Sequence, residues 1–297
     1  MADADYELAK GFALIQRLAI LLAFIVGAEV AGSGQSGQFK SGVTQVLVPV
    51  SVSRGGKPVT GLRPRDFRLF DDGVPRDVDS VSGEAFPLDV TLVLDTSGSS
   101  RTELQVIENN VRAMAALLRP SDQIRVVTFS DSVRENVRMR PARELQPFRL
   151  ESGGNTALSD ALLYALLRPP SLGRVNLIVL FSDGDDTGSV LESDAAPMAA
   201  SRADALLFAA VVPSKMRPLT SRPTVRQAVE ATGGVVYGLR DSLKAFRQIL
   251  GDFHRSYVLS FEPAVPTKLG WHRLKIGVAE HKSNDLTVRA KAGYFAR

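Results

Sequence analysis

The chain has 297 residues, 44% of them hydrophobic and 23% charged, with a formal charge of +4. It is long enough to bury a full core, as one large domain or a medium one with a small companion, and its balance excludes an intrinsically disordered protein. No block of like charges stands out. The richest basic stretch, Arg138, Arg140, Arg143 and Arg149, lacks interleaved aromatics, so no nucleic-acid partner is expected. The absence of cysteine excludes disulfides, thiolate metal sites and cysteine nucleophiles.

Lys10 and Arg17 precede the apolar run Leu18 to Ala28, and small residues follow it. Eleven residues are too few to cross a bilayer core, which needs about twenty. A basic start, a short apolar centre and a small-residue exit predict a secretory signal. An uncleaved anchor is the alternative, because Asp3, Asp5 and Glu7 are unusual in a signal. Residues 1–32 are therefore read as signal or anchor running into a linker, and Gly32 to Gly42 is rich in glycine and serine. The expected location is periplasmic or extracellular, with membrane contact only through this segment.

Val46, Val48, Val50 and Val52 alternate with other residues and predict a half-buried strand, which Pro49 pushes to a sheet edge or a bulge. Phe67 and Leu69 lead into the hairpin signal Asp71-Asp72-Gly73, and Val74 to Val81 returns. The strands of 43–85 are too few to form a core alone. From Pro87 the pattern changes. Residues 88–95 are a near-continuous apolar run, as in a central parallel strand covered on both faces. Thr102 to Leu118 has helical spacing, and strands are expected at Asp122 to Phe129 and Val133 to Met139, joined by the Ser130-Asp131 turn. Asn155 to Leu167 reads as helix, Val175 to Ser182 as a buried strand, and a helical stretch near 190–203 leads to the apolar run 206–212. A helix over Thr224 to Thr232 is stopped by Gly233-Gly234. A short strand at Val235 to Tyr237 and a helix over Asp241 to Phe253 follow.

Strands alternating with helices predict an α/β fold over 86–254, a doubly wound, mostly parallel sheet with right-handed crossovers. After His254 the alternation is again that of strands: Tyr257, Leu259, Phe261, then His272, Leu274, Ile276, Val278, then Leu286 and Val288. Residues 255–297 are expected to pack with 43–85 as a small flanking β-sandwich.

In doubly wound sheets, ligands sit beyond the carboxyl ends of the strands. Three polar segments fall there: Asp95-Thr96-Ser97-Gly98-Ser99, Gly153-Gly154-Asn155-Thr156, and Ser182-Asp183-Gly184-Asp185-Asp186. Asp95, Ser97, Ser99, Thr156 and Asp183 are hard oxygen donors with no His or Cys among them, a set that selects Mg²⁺, or Mn²⁺ or Ca²⁺, over zinc or copper. With hydroxyls binding directly and carboxylates through water, the ion keeps charge enough to take an outside carboxylate. Asp160, Asp185 and Asp186, like Asp131, are read as solvated loop or helix-surface acids, with support of the metal as the alternative.

The D-x-S-x-S run at Asp95, Ser97 and Ser99, with Thr156 and Asp183 in the same order and strand context, resembles the metal-ion-dependent adhesion site of von Willebrand factor A and integrin inserted domains. The similarity covers about 88–250, and the whole chain looks like the bacterial "VWFA-related" proteins known chiefly from Acidobacteria. The resemblance implies metal-dependent protein binding, in which the ion coordinates an Asp or Glu of a partner, without catalysis. A structural module with a vestigial metal site is the competing reading. A metal-dependent hydrolase is the third. Enzyme signatures are missing: there is neither a G-x-x-x-x-G-K-[ST] phosphate loop nor a G-x-S-x-G elbow. His254, His272 and His281 are read as surface or strand-face residues.

Overall fold

Alternating apolar residues at both ends of the chain and unbroken apolar runs in its middle build two kinds of sheet. The computed structural model describes residues 45–82, 86–98, 101–212, 223–238, 240–264, 268–279 and 285–296, all in the second of two units, Val43–Arg297. The expected signal or anchor and its linker lie outside the described residues. In chain order the strands are β1 (Val46–Arg54), β2 (Lys57–Pro58), β3 (Phe67–Asp71), β4 (Val74–Arg76), β5 (Ser80–Ser82), β6 (Leu88–Asp95), β7 (Gln123–Phe129) and β8 (Val133–Pro141). They continue with β9 (Val175–Ser182), β10 (Leu206–Val211), β11 (Val236–Gly238), β12 (Tyr257–Phe261), β13 (Gly270–Val278), β14 (Leu286–Ala290) and β15 (Gly293–Ala296).

The central sheet runs β11-β10-β9-β6-β7-β8. β9 and β10 are buried along their whole length and β6 nearly so, because helices cover both faces. Residue parity divides the two cores. Val90, Leu92 and Leu94 of β6 pack with helices Arg101–Ala115 and Ser242–His254. Val93, with Ile178 and Leu180 of β9, packs with helices Leu158–Leu166, Ala195–Ala200 and Pro223–Ala231. The doubly wound α/β architecture is thus present. β8 alone runs antiparallel, since the short turn from Phe129 to Val133 cannot supply a crossover.

Three expected helices are shorter than their apolar spacing, the one expected to Leu118 ending at Ala115. The one expected from Asn155 begins at Leu158, because the Asn155 and Thr156 N–H groups bond to Asp131 and to the Thr187 hydroxyl instead of opening a helix. The stretch near 190–203 is helical only over Ala195–Ala200. The chain before it is held by side chains: Asp160 accepts from the N–H of Val190 and Leu191, at 3.0 and 3.1 Å.

The two ends of the chain meet in two further sheets, β14-β1-β12-β5 with β2 on β1, and β15-β13-β3-β4. Their five-residue pairings each join an early strand to a late one: β1 with β12 and β14, β3 with β13. Between them lies one apolar cluster of Val46, Val48, Val50, Val52, Phe67, Leu69, Leu259, Phe261 and Leu274. Pro49 is expected to push β1 to a sheet edge or a bulge; β1 is interior, so the edge expectation is corrected. The missing N–H is tolerated because β14 pairs only from Val50 onward, so Pro49 sits where one flank of β1 is still open. Among the described residues, no helix is long and apolar enough to cross a membrane.

Candidate functional site

The strand order reverses between β6 and β9: from β6 the chain moves outward to β7 and β8, and from β9 the other way to β10 and β11. A crevice must open at their carboxyl ends. Asp95 ends β6, Ser182 ends β9, and the last register pair is Leu94 with Phe181. The Ser182 hydroxyl donates to Asp95 Oδ2 at 2.7 Å across this gap, and accepts the Gly184 N–H at 2.9 Å.

The loop after β6 folds back on its own carboxylate. Ser97 donates its N–H and its hydroxyl to Asp95 Oδ1, at 3.0 and 2.5 Å. Gly98 then takes a left-handed φ of 59° and donates its N–H to the Gly153 carbonyl at 2.7 Å, which docks the 153–156 loop against the first. Gly153 has no room for a side chain: a Cβ would lie 2.4 Å from Asp131 Oδ2 and 2.8 Å from Ser130 Cβ. Asp131 accepts the N–H groups of Asn155 and Gly154, and these hold its carboxyl below the usual aspartate range. Asp183, beyond β9, accepts the Asp185 N–H at 2.9 Å.

Asp95, Ser97, Ser182 and Asp183 line the polar end of a cavity of about 240 Å³ whose other walls are Leu94, Ile107, Val111, Met114, Phe181 and Val212. Asn110 and Ser242 add amide and hydroxyl groups to the lining and bond to each other at 2.9 Å. Burial pushes the Asp95 carboxyl above the ordinary aspartate range. Hydrogen bonds from Ser97 and Ser182 pull against that rise, and the negative charge of Asp183 adds to it.

Of the five residues expected to hold a metal, the structure brings Asp95, Ser97 and Asp183 to this cavity. Ser99 lies outside the described residues. Thr156 is buried but is not in the cavity lining; its carbonyl accepts the N–H of Thr187 and of Gly188, each at 3.0 Å. Among the acids read as possible support, Asp185 acts through its main chain on Asp183. Asp186 holds Ser159 by its N–H and hydroxyl, at 2.9 and 2.6 Å, and Asp160 holds Val190 and Leu191. Ser182 was not singled out as a donor. Its position at the last residue of a buried strand, one before Asp183, was the available signal. The donor set suits a hard dication, because carboxylates and hydroxyls face one another, and a positive charge would offset both the burial that chiefly raises Asp95 and the smaller repulsion from Asp183.

Residues 89–231 match the sequence model of the von Willebrand factor type A domain. The chain carries a von Willebrand factor A domain. Domains of this family are protein-interaction modules, often metal-dependent, and in general not enzymes. No curated protein matches the chain. Among solved structures, similarity is found to a von Willebrand factor type A protein from Catenulispora acidiphila (14% identity, 86% of this chain and 76% of that one, TM-score 0.47). It is also found to the ArnB paralog VWA2 from Sulfolobus acidocaldarius (11% identity, 84% and 76%, TM-score 0.47). A third is an aerotolerance-related membrane protein from Bacteroides fragilis (14% identity, 57% and 99%, TM-score 0.42).

Proposed function

We propose that this chain is an exported adhesion-type module that binds a partner protein through one divalent cation. Asp95, Ser97 and Asp183, joined by Ser99 and Thr156, would hold Mg²⁺ (or Mn²⁺ or Ca²⁺). When bound, the ion supplies a Lewis-acidic position for a partner's Asp or Glu carboxylate. The observation that carries the reading is the convergence of Asp95, Ser97 and Asp183 on one cavity at the reversal of strand order. The protein's own groups prepare that position. Ser97 and Ser182 fix both oxygens of Asp95, the Gly98 turn keeps the Ser97 loop against Gly153, and the Asp185 N–H orients Asp183. Export is supported by the basic-then-apolar segment from Lys10 to Ala28.

A structural module with a vestigial site has one observation in its favour: both Asp95 oxygens already have hydrogen-bond donors. Calorimetric titration of Mg²⁺ into wild type and Asp95→Ala separates the two readings. We expect one equivalent bound by wild type and none by the variant. No heat in either, or equal binding in both, rejects the adhesion-site reading.

A further inference from the structure

A second group of ligand atoms lies in the sandwich, away from the crevice between β6 and β9. Its residues come from the end of β3 and from the strand that pairs with it, where Asp71 stands opposite Leu274, two residues past His272 on β13. Asp71 and His272 therefore share the inner face. Asp72 follows in a left-handed turn, with φ of 50°, and its carboxylate approaches the same imidazole. One ligand atom from each of the three lies within 4.8 Å of the others. His272 Nδ1 is 3.0 Å from Asp72 Oδ2 and 3.5 Å from Asp71 Oδ1.

With the ring neutral, this group lacks a proton to share among its facing atoms. His272 Nε2 lies 2.5 Å from the Lys268 carbonyl, which can only accept, so Nε2 carries a hydrogen. In the neutral ring, Nδ1 then presents a lone pair to two carboxylates. The Asp71 side chain is only 4% exposed, its Oδ2 takes the Tyr294 hydroxyl at 3.1 Å, and its Oδ1 is fully buried with no hydrogen-bond partner. Among the described residues, no Lys or Arg forms an ion pair with either aspartate. Asp72 Oδ1 takes the Arg273 N–H at 2.8 Å, so Asp72 Oδ2, Asp71 Oδ1 and Nδ1 face a common point that either a proton on Nδ1 or a cation can fill.

We propose that Asp71, Asp72 and His272 form a binding site for a borderline divalent transition metal such as Zn²⁺. Ligand atoms bonded at about 2.0–2.2 Å to a tetrahedral ion are about 3.4 Å apart, which the 3.0 and 3.5 Å separations bracket. An imidazole among the donors favours such an ion over Mg²⁺ or Ca²⁺. The bond from Nε2 to a backbone carbonyl is the outer support that metal-bound histidines usually have. Tyr294 stacks on the imidazole, ring centroids 5.0 Å apart, and closes the inner side. Asp72, 52% exposed, leaves the outer side open to an ion and a further ligand. The ion would join the turn after β3 to β13, and so tie an early strand to a late one.

The test uses the full chain and Co²⁺ as a spectroscopic stand-in, titrated in excess Mg²⁺. Wild type and Asp95→Ala should each develop visible d–d absorption saturating at one equivalent. Asp72→Asn and His272→Gln should weaken the binding by more than about tenfold. Asp72→Asn changes a half-exposed turn residue and so keeps the test open if the histidine variant fails to fold. Absence of the absorption in wild type, its persistence unchanged in Asp72→Asn, or its loss in Asp95→Ala would each overturn the proposal.

Discussion

Asp186 does at residue scale what a helix cap does from within its own helix. Helix Leu158–Leu166 begins after Ala157, which offers no side-chain cap, and Asp186 reaches across from the loop after β9 to take the Ser159 N–H. Burial alone would raise this carboxyl. The hydroxyls and N–H groups of Ser159 and Ser189 outweigh it and hold the folded value below the ordinary one. A depressed folded value means that the stabilisation is present above the unfolded value and is lost as pH falls through the folded one. Asp186→Asn should therefore cost roughly 1 kcal/mol near neutrality, and the gap to wild type should close in acid. Urea unfolding of both proteins near neutrality and again below the carboxylate range checks this; a gap that does not change with pH contradicts it.

At this scale the sequence was legible where polar residues interrupt a strand end, as at Asp95 and Asp183. It was less legible where a residue's meaning depends on its face. Asp71 has the parity of Phe67 and Leu69, and His272 has that of Leu274, so strand parity puts both on the core face. Reading Asp71-Asp72-Gly73 only as a turn hid the acid's burial. Asp160 and Asp186 could not be assigned from sequence, because their partners lie about thirty residues away in the other loop.

At the scale of elements, apolar patterning decides most of the outcome. Unbroken runs became β6, β9 and β10, and apolar residues at every second position became β1, β12 and β13. Helix ends were less readable, since they depend on which partner the first N–H groups find. The closing helix Ser242–His254 is the clear case: Asp241, expected as its first residue, is instead its cap and accepts the Lys244 N–H at 2.8 Å. Pairing between distant strands has a direct consequence. Deletion of 256–297 removes β12 to β15, the partners of β1 and β3, and opens the cluster around Val48, Phe67 and Leu69 to water. We expect limited proteolysis of the truncated chain to cut within 43–82 while wild type resists there. Equal protection in both would show that the early strands hold together without the late ones.

At the scale of the whole unit, the sandwich is fastened to the α/β layers at defined points. Gly233, with φ of 83°, stops helix Pro223–Ala231 and lies against the Ala290 main chain, where a Cβ would come within 2.8 Å. Beside it, the Lys291 ammonium is buried against Asp204. These contacts fix β14 beside the sheet. The fold class followed from alternation of strand and helix, whereas the division into two small sheets did not, because nothing in single-strand patterning states which early strand meets which late one.

The proposed function requires one cation between the ends of β6 and β9. The most direct measurement is anomalous diffraction from crystals of the full chain soaked in Mn²⁺. A peak in the crevice within about 2.2 Å of Ser97 Oγ, with Asp95 and Asp183 around it, is the predicted result. An empty crevice, or density bound only elsewhere in the molecule, would contradict it.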